Sequence, residues 1–114
     1  MKGPAIVPYS NAIPRMLEGL SCPRKGLIGP WAHEYPMRAL PGPQIGFLQE
    51  CLRWWDYWLK GKDTGIMTEP MLRTWIHESG KPGGVQKERS GSWVGENDWP
   101  SNNITSEHFF LHQN

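Results

Sequence analysis

The sequence predicts an α/β chain in which helices and one buried strand come first and the later part leans to β. Three observations carry this reading. Residues 44–60 place apolar side chains at helical spacing, Leu27-Ile28 forms a short apolar run bounded by glycines and a proline, and residues 71–77 alternate as a half-buried strand does.

Each element follows from local chemistry. Ala5-Ile6-Val7 reads as either a strand or a tail. Ser10 or Asn11 offers an N-cap, Pro14 is tolerated in a first helical turn, and Ile13, Met16, Leu17 and Leu20 share one face, so a short helix is expected to about Leu20. The stretch from Lys25 to Pro30 has the signature of a buried strand closed by a loop, and Pro30, Pro36, Pro41 and Pro43 then forbid regular pairing through residues 31–43. From Gln44 to Lys60, Ile45, Leu48, Leu52, Trp55 and Leu59 recur at helical spacing with Cys51 and Trp58 beside them. Gly61 stands where a helix C′ residue belongs, and Arg53 and Lys60 suit the negative end of the helix dipole. This helix is expected to turn Leu48, Leu52, Trp55 and Leu59 inward, with Phe47, Trp54 and Tyr57 widening its apolar surface beyond one stripe. After a turn-rich segment at 61–70, Met71, Arg73, Trp75 and His77 alternate with Leu72, Thr74 and Ile76 across a strand. Residues 79–92 read as a loop, and Trp93-Val94, Ile104-Thr105 and His108 to His112 as short strands.

Composition narrows the partners. With 12 Lys+Arg against 11 Asp+Glu, the net charge of +1 gives no electrostatic case for nucleic acid or an anionic membrane. The 13 Gly and 11 Pro mark a loop-rich chain, while 7 Trp, 3 Tyr and 3 Phe supply large groups to bury, so the 114 residues read as folded. No apolar run approaches the ~18 residues of a membrane span, and residues 1–8 are too short and Pro-broken for a secretory signal. A soluble, cytoplasmic protein with no membrane partner is therefore expected. Cys22 and Cys51 lie far apart without a CxxC pair, which suits buried thiols better than a disulfide scaffold or a zinc site.

The residue that stands out chemically is His33. Gly29-Pro30-Trp31-Ala32-His33 sets a histidine in a loop just beyond a buried strand, where α/β enzymes expose catalytic groups; a packed structural histidine beside Trp31 and Tyr35 is the competing reading. His108 and His112 are four apart but lack the Glu of the HExxH zinc motif, and the glycines form no phosphate loop or dinucleotide fingerprint. No metal and no cofactor is expected.

Several of these segments resemble the CocE/NonD hydrolases, the group of cocaine esterase-like acyl esterases and X-prolyl dipeptidyl peptidase relatives. Residues 9–20, from Tyr9-Ser10-Asn11-Ala12 onward, are similar to the helix after that family's acid loop, and residues 29–33 to its histidine loop. Trp54-Trp55-Asp56-Tyr57-Trp58-Leu59-Lys60-Gly61 is similar to its last catalytic-domain helix, and residues 91–101, with Trp93 and Trp99-Pro100, to the entry into its C-terminal β domain. The likeness spans most of residues 9–111. It implies the end of an α/β-hydrolase domain over residues 1–62 (helix, strand, His loop, long helix) and, over 63–114, a linker and the start of a C-terminal β jelly roll. It also implies a Ser-His-Asp hydrolase of acyl ester or X-prolyl peptide bonds in which His33 is the general base.

In that fold the serine and acid precede the histidine along the chain. Residues 1–114 hold no G-x-S-x-G, and Gly3-Pro4-Ala5-Ile6-Val7-Pro8 stands where the family has its acid loop. Asp56 and Asp98 match the helix and the β-domain entry, so neither is promoted to the triad. The expectation is a C-terminal fragment or truncated product that holds one triad member, is inactive alone, and associates through exposed edges. An alternative is a small Trp-rich module binding a sugar or peptide on Trp75, Trp93 and Trp99; a third is a regulatory or scaffold protein derived from the hydrolase.

Overall fold

The computed structural model describes residues 9, 11–84 and 86–111. Ala5-Ile6-Val7, Ser10 and His112 lie outside them. Helix α1 runs Ala12–Gly19, strand β1 Gly26–Ile28, helix α2 Phe47–Lys60, strand β2 Leu72–His77 and strand β3 Gly91–Glu96, with a short 3₁₀ turn at Ile66–Thr68.

Helix α1 follows Asn11, whose side chain makes no capping hydrogen bond, and closes with the Leu20 N–H donating to the Met16 carbonyl at 3.0 Å. Its apolar face buries Leu17 to 3% exposure. Close approach of α1 to the sheet depends on Gly26, where a Cβ would stand 2.8 Å from Leu17 Cδ1 and 3.1 Å from Leu72 Cδ1. Leu72 is itself 3% exposed, so α1 packs closely on the Gly26/Leu72 face of the sheet.

Strands β1 and β2 pair in parallel, with Gly26 opposite Leu72 and Ile28 opposite Thr74. Strand β3 pairs antiparallel to β2, from Leu72 opposite Glu96 to His77 opposite Gly91, giving the order β1-β2-β3. A parallel pair needs a long crossover, and α2 lies within the one between β1 and β2.

Helix α2 ends as its sequence dictates, with Gly61 in the left-handed region at φ 64°. It is tied to β2 by ions. Glu50 bonds Arg53 (3.4 Å) and Arg73 (2.6 Å), while Glu69 bonds Arg53 (2.5 Å) and Arg73 (3.2 Å), closing a ring of two carboxylates and two guanidiniums. The Thr64 hydroxyl donates to the Arg53 carbonyl at 2.9 Å, and Arg53 donates back to the Thr64 carbonyl, which fixes the return from α2 toward β2. Lys25 reaches the Met67 and Glu69 carbonyls from the strand side, and its burial there pulls its pKa below the ordinary lysine value.

Two expectations are corrected. The end of an α/β-hydrolase domain leading into a separate C-terminal β jelly roll is not what forms: among the described residues β2 and β3 join β1 in one three-stranded mixed sheet, with two helices. Residues 104–111 carry no strand, and Phe109, Phe110 and Leu111 are 82–100% exposed. The physical reason is pairing: a three-residue strand such as β1 must satisfy its backbone groups against a neighbour, and β2 presents Leu72 to the α1 side and Arg73 to the α2 side, which fits that place.

The second correction concerns α2. Leu48, Leu52, Trp55 and Leu59 share a face as expected, but it points outward, at 64%, 56%, 53% and 75% exposure. At about 100° per residue, Glu50 and Arg53 lie on the opposite side of the helix. Their ion pairs to Arg73 and Glu69 therefore turn the leucine face away from the sheet. Buried apolar side chains among the described residues are Leu17, Ala39, Ile66 and Leu72. The radius of gyration, 16.9 Å, exceeds the about 13 Å of a compact domain near this length.

Candidate functional site around His33

His33 follows β1 by five residues in a loop that is anchored on both sides. On the near side, Trp31 folds back over Gly29, where a Cβ would meet the indole at 2.6 Å. The Trp31 indole N–H donates to the Pro43 carbonyl at 2.7 Å, and the ring packs against Trp93 with centroids 6.2 Å apart. On the far side, Ala39 is 1% exposed and its N–H donates to the Tyr35 carbonyl at 2.9 Å. The Ala32 N–H reaches the Leu40 carbonyl at 3.1 Å, closing the base of the loop.

Between these anchors His33 is exposed. It lines an open cavity of about 430 Å³ with Ala32, Glu34, Tyr35, Pro36 and Phe47. The neighbouring carboxylate is not an orienting acid for it. Glu34 Oε1 accepts from the Tyr35 N–H at 2.8 Å and from Arg38 at 3.2 Å, and these bonds, the backbone one foremost, hold its pKa below the usual glutamate value. Among the described residues, no serine, threonine or cysteine lines the cavity. The His33 loop therefore presents an imidazole to solvent, while the described residues bring it no nucleophile, and its one neighbouring carboxylate, Glu34, is engaged by Tyr35 and Arg38.

The other singled-out residues lie elsewhere. Asp56 pairs with Lys60 at 2.6 Å and Lys62 at 3.7 Å on α2, and the Lys60 bond holds its pKa low. Asp98 is exposed in the turn after β3. Cys51 and Cys22 are free thiols, the first half-buried and the second exposed, and both line a separate cavity of about 400 Å³ between α2 and residues 20–27, which lead into β1. His77 ends β2 opposite Gly91 of β3, three residues beyond the Thr74 that pairs with the end of β1, and His108 is exposed in the non-regular C-terminal segment. Among the described residues no group of three or more His, Cys, Asp and Glu is placed to hold a metal ion, and no helix is long and apolar enough to cross a membrane.

The tryptophans form a different set from the one expected. Trp75 and Trp93 do meet, 5.4 Å apart, but edge to face at 69°, so they share no flat surface. Their third partner is Trp31, through Trp93, and Trp99 makes no ring pair among the described residues. The Trp75 indole N–H donates to the Arg89 carbonyl at 3.1 Å, which holds that ring in place. Sequence reasoning missed Trp31 as the loop's anchor and Phe47 as a wall of the His33 cavity. The signal for the first was present: a glycine two residues before a tryptophan leaves room for the indole to fold back.

Comparison with protein-family models, with curated proteins and with solved structures finds no match for the chain.

Proposed function

We propose that His33 is the general base of an acyl hydrolase acting on ester or X-prolyl peptide carbonyls, with the serine and the orienting acid supplied from outside residues 1–114. The observation that carries this reading is the exposed imidazole of His33 on a loop pinned by Trp31 and Ala39 and open to a cavity. A general base needs a fixed backbone and an accessible ring nitrogen; the pinned loop supports the first and the exposed imidazole the second, while the serine it must reach belongs to the complementing segment. The resemblance of residues 29–33 to the histidine loop of the CocE/NonD hydrolases supports the reaction class.

In the proposed reaction His33 takes the proton of the serine hydroxyl as its oxygen attacks the carbonyl, then returns the proton to the leaving alcohol or amine. Water repeats the cycle on the acyl-enzyme. With no nucleophile at His33 among the described residues, the chain alone is expected to be inactive.

The test is complementation. The chain is co-expressed with the serine- and acid-bearing portion of a cocaine esterase-like hydrolase, and turnover of an activated acyl ester is compared for wild type, His33→Ala and His108→Ala. Turnover that falls by several orders of magnitude in His33→Ala alone is the expected result. Equal turnover in the two variants, or His33-dependent turnover by the chain without its complement, overturns the reading.

A further inference from the structure

We infer that α2 pairs with α2 of a second copy of this chain, antiparallel and about a two-fold axis, through Leu48, Leu52, Trp55 and Leu59. The four stand at successive spacings of four, three and four residues and are each more than half exposed. That is the a/d spacing of a coiled-coil seam, narrower than the stripe of a helix packed on a sheet, and its natural complement is another helix carrying the same seam.

The seam also reads the same in both directions. A two-fold axis passing the helix between Arg53 and Trp54 sets Leu48 opposite the second copy's Leu59, and Leu52 opposite its Trp55. Such self-complementarity is the requirement for an isologous contact, in which one patch serves both copies. Gln49 and Asp56 flank the seam on one side, Cys51 and Trp58 on the other. The single charge among them, Asp56, is already compensated by Lys60 and Lys62, so no like charges are pressed together across the axis. Antiparallel pairing further sets each helix's positive end beside the other's negative end.

Size is consistent with a specific contact. The four side chains expose on the order of 500 Å² per copy, or roughly 1,000 Å² for the pair, which reaches the lower end of biological interfaces. Trp55 also lines the cavity of about 400 Å³ that includes Leu20, Cys51 and Ile66, so the seam runs into a recess able to receive a facing side chain. Helix α2 meanwhile buries none of its own residues fully, and pairing along the seam would remove apolar surface from water.

Sedimentation of the full chain over a range of concentrations tests this. The wild type is expected to reach twice the 13.0 kDa chain mass. Leu52→Glu alone and Trp55→Lys alone are expected to sediment as monomers with unchanged helical circular dichroism, since both positions are exposed. The double variant should regain the dimer, because antiparallel pairing opposes the two introduced charges across the axis, whereas parallel pairing would oppose like charges. A wild type that is monomeric throughout overturns the inference, as does a dimer indifferent to Leu52→Glu. If seam protection from hydrogen exchange then appears only on adding the serine-bearing portion of the complementation test, that polypeptide is the occupant. Failure here leaves the assignment of His33 unaffected, since that is read from turnover.

Discussion

Glu50 Oε2 lies 2.6 Å from the Arg73 guanidinium, and this bond joins the crossover helix to the central strand of the sheet. Glu69 and Arg53 close the ring around it, with all four side chains between 26% and 32% exposed. At that depth the pairs are neither freely screened nor fully desolvated. Arg73→Met should therefore cost about 1–2 kcal/mol, between the values of exposed and buried pairs, because it leaves Glu50 and Glu69 sharing the single guanidinium of Arg53. Urea unfolding at low and high salt checks this: the wild type should lose part of the difference as salt rises, and a variant as stable as wild type at low salt would show that the ring does not hold α2.

A second expectation concerns the anchor of the His33 loop. Gly29→Ala places a methyl group 2.6 Å from the Trp31 indole, too close for any ordinary contact, so the ring must leave Gly29 and with it Trp93 and the Pro43 carbonyl. Overpacking of this kind costs about 1–3 kcal/mol. Gly80→Ala, where nothing stands within 4 Å, is the control. Near-ultraviolet circular dichroism, which senses the Trp31–Trp93 coupling, should change in Gly29→Ala and stay constant in Gly80→Ala. An unchanged spectrum in the first would mean that Trp31 does not depend on Gly29.

The sheet itself offers a third. Gly26→Ala drives a Cβ into Leu17, Ile13 and Leu72 at once, at 2.8–3.1 Å, and Leu17 and Leu72 are each 3% exposed. The expected outcome is a loss of about 1–3 kcal/mol with α1 loosened from β1. Hydrogen exchange at the Leu20 amide, which donates to Met16, reports α1 directly. Protection there equal to wild type would count against α1 as a packed element.

These positions also show where sequence reasoning succeeds and where it stops. Helix α2, β2 and the Gly61 terminus were legible because each is fixed by neighbours within a few residues: helical spacing, alternation, and a glycine free to adopt positive φ. Which way α2 faces was not legible from its leucines. It is decided by Glu50 and Arg53 meeting Arg73 and Glu69, partners up to 23 residues away that no local periodicity encodes. The pairing of β2 with β1 failed for the same reason, since alternation states that a strand exists and not which neighbour it takes. At the site, Gly29, Trp31 and His33 were visible as a loop after a strand, whereas Phe47 reaches the cavity only through the return of α2.

The last expectation is a pH dependence at the end of β3. The Glu96 carboxylate accepts from the Ser101 hydroxyl at 2.6 Å and from the Asn103 side-chain amide at 2.9 Å, and the Asn103 N–H in turn donates to the Ser101 oxygen at 3.1 Å. Ser101, first, and then Asn103 favour the charged form and hold the Glu96 pKa below its ordinary value. A depressed folded pKa means that the folded state binds a proton less readily than the unfolded one. The contribution to stability is therefore complete above the unfolded glutamate value of about 4.3 and is lost as pH falls through the lower folded value. Protonation removes acceptor strength from one oxygen, so the turn over residues 97–103 should open in acid while α1 and the sheet face beneath it persist. The Asn103 amide resonance followed from neutral to acid pH measures this, with a midpoint expected below the ordinary glutamate range. Glu96→Gln should abolish that titration, and Ser101→Ala should move it upward toward the unperturbed value. A wild-type midpoint at or above about 4.3 would show that the Ser101 and Asn103 bonds are too weak to hold the turn.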